Sequence, residues 1–444
     1  MVTERATANA GAAPSGFFSP ESIGTQTTGA AELEFEQRCR DLLPSLERED
    51  HGLRFHVAAV DAPAVMSSWT SAHLALALRH IDAAAALAEL RALYEGCQRD
   101  DGLLAAERVA GEAERSARTR EVGAIFGEDA RSQLIAPPVA AFAVACLALA
   151  GTEGSRDLLA LATRELDAIW GARLPPDTPL PVILHPLESG VPRSALFESL
   201  LDCEDEDEWR DDSATLFRSA AACRLDPEHA LRAGHPFVIE DPVFCGWLLL
   251  ALEECSRAWE KLGDTTSCQK LRIRSEMIAE GIHSRLWWEE QEIYAGWNRG
   301  RQSALRSVTA GGLLPAATRT LAEEGTPRRL VDRHLRPSAS ALWSSRGVFH
   351  APPMRGERDD LDSRGDRPDA ASPLAHFWAH LVLSRAERPA DARVARAQLE
   401  ALALSRGFQH EYDVGPDQPE ELLADTSALP LLALGMRERE RGLL

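Results

Sequence analysis

The chain has 444 residues, 45% of them hydrophobic, and a formal net charge of −21. That length holds one large domain or two to three ordinary ones, with ample apolar material for a core. The acidic excess argues against nucleic acid and anionic membranes as partners, because no basic surplus exists to neutralise phosphates; a small anionic substrate held by one or two local arginines stays admissible.

Residues 1–30 (MVTERATANAGAAPSGFFSPESIGTQTTGA) lack the charged start and apolar stretch of a secretory signal, and they read as a disordered N-terminal tail. From there helical periodicity dominates. Apolar residues at i, i+3, i+4 and i+7 predict helices over 31–47, 66–80, 83–97, 136–150, 155–170, 241–261, 266–285, 316–323, 327–335, 372–386, 390–405 and 424–437. The longest apolar runs, such as VAAFAVACLALA (139–150), fall short of the ~20 residues a bilayer span needs. HLALALRHIDAAAALAELRALYEG is a helix, a break at an aspartate, and a second helix. The segment from Asp241 to Trp287 repeats that plan through a KLGDTTS turn, where Gly263 can close one helix and Asp264 or Thr265 can cap the next. Such pairs recur without a signature that fixes a repeat period, and a ring of helical hairpins fits as well as a linear array. Roughly six hairpins use up residues 31–444 as one domain.

Two stretches, 174–215 and 343–371, carry no helical period; loops of that length are usually functional or disordered. The acidic run CEDEDE (203–208) reads as a solvated face. Eight cysteines without any CxxC pair read as reduced core thiols of a cytoplasmic protein.

There is no Walker loop, no GxGxxG, no GxSxG and no HExxH, so the sequence calls for no cofactor. His376 and His380 share a helix face, but no third ligand stands at recognisable spacing, and no metal is expected. What remains is a set of polar and aromatic residues where loops meet helices: Trp69, Gln98 with Gly102, Gln133 ahead of Pro137-Pro138, the loop LHPLESGVPRSALFE (184–198), and GFQHEYDVGP (407–416).

In their order, these positions resemble the six-hairpin glycosidases, in particular the group of trehalase and mannosylglycerate-hydrolase-like enzymes built on an all-α (α/α)6 toroid. The likeness runs from about residue 55 to 437 as short matches. The group's W-D-S is met by Trp69-Thr70-Ser71, and its Q-x-x-x-G by Gln98 and Gly102. Its H-P-W-E-S-G-x-D-N-S is met by His185, Pro186, Glu188, Ser189, Gly190 and Ser194, the most specific match. LWWEEQEIYAGWN (286–298) resembles its L-W-x-E hairpin, and Phe408, Glu411 and Tyr412 resemble its closing Phe-x-Glu-Tyr segment.

The resemblance implies an inverting mechanism, in which one carboxylic acid protonates the leaving oxygen and a second carboxylate activates water across a gap of ~6.5–9.5 Å. The base falls on Glu411. The acid falls on Pro192, which has no proton to give. The aspartate of W-D-S is Thr70, the Trp of H-P-W-E is Leu187, and of the group's R-G-P-x-W element only Pro373 and Trp378 correspond, at altered spacing. Glu198, or Glu188, is the candidate to replace the acid. The substrate-binding set expected around them is Trp69, Gln133, Glu188, Arg193 (for an anionic group), Trp378, His410 and Tyr412; Glu188 could instead hold its own loop, and His185 is expected to fix that loop by hydrogen bonding. General acid catalysis contributes ~10²–10⁴-fold. Its loss leads to the expectation of non-hydrolytic acid/base chemistry, such as isomerisation, cyclisation or elimination on a small polar molecule in a secondary pathway. An inverting hydrolase of a small anionic glycoside, and a non-catalytic binding protein, are the alternatives.

Overall fold

The structure, a computed structural model, describes residues 29–201, 206–323, 325–336, 342–344, 347–349, 370–413 and 423–440. Most of the sequence-predicted helices are present, and their ends follow local chemistry. Helix α1 (Gly29–Leu46) begins inside the stretch read as a tail, whose residues 1–28 lie outside the described part. Helix α2 (Ser68–Ile81) is capped by Ser67, whose hydroxyl accepts from the Thr70 N–H at 3.3 Å. A single residue, Asp82, ends α2 and caps α3 (Ala83–Cys97), accepting from the Ala84 N–H at 2.8 Å. The polar helix α4 (Glu112–Val122) follows, then α5 (Val139–Ala150) and α6 (Ser155–Arg173). Helix α7 (Glu206–Ala222) takes up the end of the 174–215 stretch expected to be irregular, and α8 (Pro227–Ala233) follows it. Next come α9 (Pro242–Lys261) and α10 (Thr265–Gly281), joined through Gly263 in the left-handed region (φ +81°) and the Asp264 cap. Short helices α11 (Arg319–Glu323) and α12 (Thr326–His334) precede α13 (Pro373–Arg385), α14 (Pro389–Arg406) and α15 (Leu432–Glu440).

Helix packing closes a ring. The inner elements α2, α5, α9, a 3-10 segment at Ala310–Ala317, α13 and α15 touch in that order, and α15 returns to α2. Outer elements α3, α6, α10, α11 with α12, and α14 back the first five. Helix α1 backs the sixth: Arg437 of α15 donates to the Glu32 carbonyl at 3.2 Å and pairs with Glu400 of α14 at 2.8 Å. Helix α5 is buried on all sides, which is why its sequence is apolar all round: every residue from Val139 to Ala148 is buried. In the fourth pair AGGLLPAA cannot sustain an α-helix because of Gly311, Gly312 and Pro315, and it packs as a 3-10 segment against α9. The seven described cysteines are buried and form no disulfide. No described helix is long and apolar enough to cross a membrane.

Two antiparallel strand pairs build the end of the ring that matters below. Val65–Ser67 pairs with Glu107–Val109, setting Ser67 opposite Glu107. Ala370–Ala371 pairs with Tyr412–Asp413.

Candidate active site

The axis of the ring is filled by rings from four inner helices. His73 of α2 meets Trp247 of α9 edge-on at 5.5 Å and Phe377 of α13 at 6.3 Å, and Phe142 of α5 packs on Trp247 at 5.5 Å. One turn before His73, Trp69 lies 4.3 Å from the imidazole. The His73 Nδ1–H donates to the Trp69 carbonyl at 2.8 Å, and burial pushes its pKa down to about 4, so the ring is neutral.

Trp69 also forms part of the wall of a cavity of about 380 Å³. The positions where the sequence departs from the glycosidase motifs gather there: Thr70, Leu187 and Pro192 all line it. The loop that presents the last two is anchored by hydrogen bonds. His185 Nδ1 accepts from the Leu187 N–H at 3.2 Å, and its Nε2–H donates to the Ser213 carbonyl at 3.0 Å. Ser189 donates to the Pro186 carbonyl at 2.7 Å and accepts from the Val191 N–H at 3.0 Å. Gly190 adopts φ +78°, and a Cβ there would collide with the Trp69 ring. This glycine therefore serves both the turn and the close approach of the indole.

Burial holds the His185 pKa near 4, against ~6.5 in an unfolded chain. On acidification the unfolded state takes up this proton first. The stability contributed by neutral His185 is thus fully present above pH ~6.5 and is lost as pH falls toward 4. Urea unfolding at pH 7 and pH 4.5 is expected to show the wild type losing roughly 2–3 kcal/mol more than His185→Asn. Equal losses would contradict the placement.

The other predicted residues are distributed as follows. Glu188 is fully buried and faces the protein, not the cavity: it accepts from Arg173 Nη2 (2.5 Å), the Ile135 N–H (3.2 Å) and the Leu184 N–H (2.8 Å). These bonds tie Glu188 to Arg173 and to its own loop, the role the sequence offered it as an alternative. Glu198 is solvent-exposed beside the Ala195–Phe197 turn and is not among the residues lining the cavity. The Arg193 guanidinium lies 5.3 Å from the Trp209 ring and is not among the cavity-lining residues. Gln133 takes part through its backbone, accepting from Arg99 at 2.9 Å, while its neighbour Leu134 reaches the cavity. Gln98 closes its own turn, donating to the Gly102 carbonyl at 3.1 Å. Trp378 is fully buried on α13, within the core and away from the cavity, because that helix is covered on every side. His376 and His380 donate to the Ser372 and Ala392 carbonyls at 2.7 and 3.0 Å, and no metal-sized group of His, Cys, Asp or Glu occurs among the described residues.

At the closing segment Tyr412 is buried in its strand pair, with burial pushing its hydroxyl pKa up, and Glu411 is half-buried with Oε1 enclosed. His410 is exposed. Glu411 is not among the residues lining the cavity; its segment is joined to the cavity wall through the Ser427 N–H, which donates to the Phe408 carbonyl (2.8 Å), and the Ala428 N–H, which donates to the carbonyl of the lining residue Ala58 (2.9 Å). Most of the 343–371 stretch lies outside the described residues, and with it the question of a closing loop. Sequence reasoning missed the three charged residues that line the cavity. Glu107 accepts from Arg118 Nε and Nη2 at 2.9 and 2.6 Å, and Glu121 accepts from Arg118 Nη1 at 2.7 Å. Burial alone would lower the Arg118 pKa; its two carboxylate partners outweigh that and raise it.

A closed ring of six helical pairs with a loop-walled cavity at one end is the (α/α)6 toroid of the six-hairpin glycosidases. The chain belongs to the family described as "mannosylglycerate hydrolase MGH1-like glycoside hydrolase domain", whose model matches residues 63–348. It is 27% identical over 197 residues to a mannosylglycerate hydrolase of Rubrobacter radiotolerans, a match that covers 38% of this chain and 44% of that relative's length. Among solved structures it resembles the mannosylglycerate hydrolase of Thermus thermophilus in complex with Tris and D-glycerate (TM-score 0.75, 21% identity, 90% of this chain and 99% of that one). The same enzyme in complex with glucose gives a TM-score of 0.72 at 21% identity, covering 90% and 98%. A neutral trehalase from Saccharomyces cerevisiae gives 0.53 at 14% identity, covering 90% and 78%. None of these relatives supports the biosynthetic setting expected from the sequence.

Proposed function

We propose that this protein is an inverting glycoside hydrolase restricted to substrates whose leaving group departs without protonation. Family membership across the segment that carries the cavity supports hydrolysis over the isomerisation, cyclisation or elimination expected from the sequence. The observation that narrows it is Pro192 in the cavity wall, where the family's acid would stand. Glu411 acts as the base that activates water. Without a donor at 192, an alkoxide leaving group forfeits the ~10²–10⁴-fold that general acid catalysis supplies. Aryl and other weakly basic leaving groups forfeit little.

The test is release of free sugar from a panel of aryl and alkyl glycosides, read by NMR for the anomer formed first. Aryl substrates are expected to turn over with inversion, and Glu411→Gln is expected to lower kcat by at least about 10²-fold. The same pair of observations, an apolar cavity and no acid, favours a second reading: conversion of a small polar molecule with no water incorporated, also lost in Glu411→Gln. Runs in ¹⁸O water separate the two. Saturable binding with no turnover of any kind would refute both.

A further inference from the structure

We infer that His73 is a positioning residue for substrate: from outside the cavity it sets the Trp69 indole in the cavity wall. The effect on turnover rests on the proposed hydrolysis; the placement of the indole does not. Trp69 is half-buried and lines the cavity, whereas His73 is 1% exposed and is not among the lining residues. A ring on a half-open wall needs contacts that select one of its rotamers. Gly190 provides room for the indole, because any Cβ there would collide with it. The imidazole provides the surface it rests on, 4.3 Å away and inclined at 61°, within the range of favourable aromatic pairs.

His73 is itself held from behind. Trp247 of α9 meets it at 5.5 Å and Phe377 of α13 at 6.3 Å, both edge-on. Its Nδ1–H donates to the Trp69 carbonyl at 2.8 Å, which ties the ring to the helical turn that carries the indole. Three inner helices are thereby linked to one side chain of the cavity wall. The choice of histidine is informative. Its Nε2 is buried with no hydrogen-bond partner among the described residues, which costs free energy that a leucine or phenylalanine among these rings would avoid. The bond to the Trp69 carbonyl is what no hydrocarbon side chain could make in its place.

The experiment uses His73→Leu, which removes ring and bond, and the closer-fitting His73→Phe, which removes the bond alone. The first readout is the ¹⁹F spectrum of the full chain labelled with 5-fluorotryptophan, in which Trp69→Phe identifies the Trp69 line among ten tryptophans. That line is expected to shift or split in His73→Leu and to move less in His73→Phe. The second readout is turnover of 4-nitrophenyl D-mannosides and D-glucosides. In His73→Leu the KM is expected to rise about tenfold and kcat to change by less than about threefold, with roughly a threefold rise in KM for His73→Phe. In a Trp69→Ala background the same two substitutions are expected to leave KM unchanged, because their effect runs through the indole. A merely structural histidine would lower the unfolding midpoint without making the KM effect depend on Trp69. A Trp69 line that stays in place in both variants, or an equal rise in KM in both backgrounds, would overturn the inference. Absence of turnover in the wild type would sink the proposed reaction instead, and the ¹⁹F line would then decide the inference by itself; should His73→Leu not fold, His73→Phe decides it.

Discussion

Replacing Pro192 by aspartate is expected to raise kcat/KM for alkyl glycosides by about 10²–10⁴-fold while changing aryl glycosides little. Pro192 lines the cavity, and the turn around it is closed by the Ser194 N–H donating to the Val191 carbonyl at 3.0 Å, a bond the substitution leaves in place. Proline contributes no N–H, so no backbone donor is lost. A carboxyl group set among Leu187, Leu134 and Ile125 has its charged form disfavoured by desolvation, which keeps the proton available near neutral pH. The measurement is a plot of log kcat/KM against the leaving group's pKa. It should be steep in the wild type, where the departing oxygen bears its own charge, and flatter in Pro192→Asp. Parallel plots would mean that position 192 does not face the leaving oxygen, and the proposed division of labour with Glu411 would fall. A wild type inert on every glycoside but awakened by this one change would favour the non-hydrolytic reading.

The ring was legible because burial on every side writes itself into composition. The run VAAFAVACLALA, the helix from Pro242, and the breaks at Asp82 and Asp264 needed only periodicity and caps. Helices α4 and α7 were missed. They pack on each other; α4 buries only Val122 and so shows no apolar period, whereas α7 buries Trp209, Ser213, Leu216, Phe217 and Ala220 at helical spacing but opens inside the acidic run that reads as a solvated face. The start of the 424–437 prediction was wrong by several residues, because Leu429–Leu431 forms a 3-10 turn before α15. At the site, the motif order singled out the loop at 184–198 and Trp69, and Trp69, Leu187, Gly190 and Pro192 line one cavity. It could not say which way a side chain turns. Glu198 leaves a short turn toward solvent, and Glu188 finds its partner fifteen residues back on α6. The corner of Glu107, Arg118 and Glu121 depends on a strand pairing across forty residues, between 65–67 and 107–109. Two three-residue strands leave too short an alternation to announce themselves.

The loop that carries Leu187, Gly190 and Pro192 owes its position to a buried ion pair, and breaking that pair from one side is expected to cost about 3–5 kcal/mol. Arg173, at the end of α6, is almost wholly enclosed, and burial lowers its pKa; the Glu188 carboxylate opposes that shift. Its second guanidinium nitrogen donates to the Leu225 carbonyl at 3.2 Å, so the side chain ties the loop to the chain after α7 as well. Arg173→Met keeps the apolar stem and strands Glu188 at 0% exposure with two backbone N–H donors for company. Glu188→Gln keeps an acceptor for those donors but leaves the guanidinium without its counter-charge. The double variant removes both charges, and because a buried pair is often no more stabilising than uncharged replacements, it is expected to recover most of the lost stability. Urea unfolding of the four proteins gives the coupling energy directly, and near-additive single losses would show that the pair is not what holds the loop. A second readout separates positioning from stability. Under conditions where all four remain folded, Arg173→Met should weaken aryl-glycoside binding although Arg173 does not line the cavity, because Leu187 and Pro192 move with the loop. If the binding is unmoved while the stability drops, the ion pair braces the fold and the cavity's shape is set by the Gly190–Trp69 contact instead.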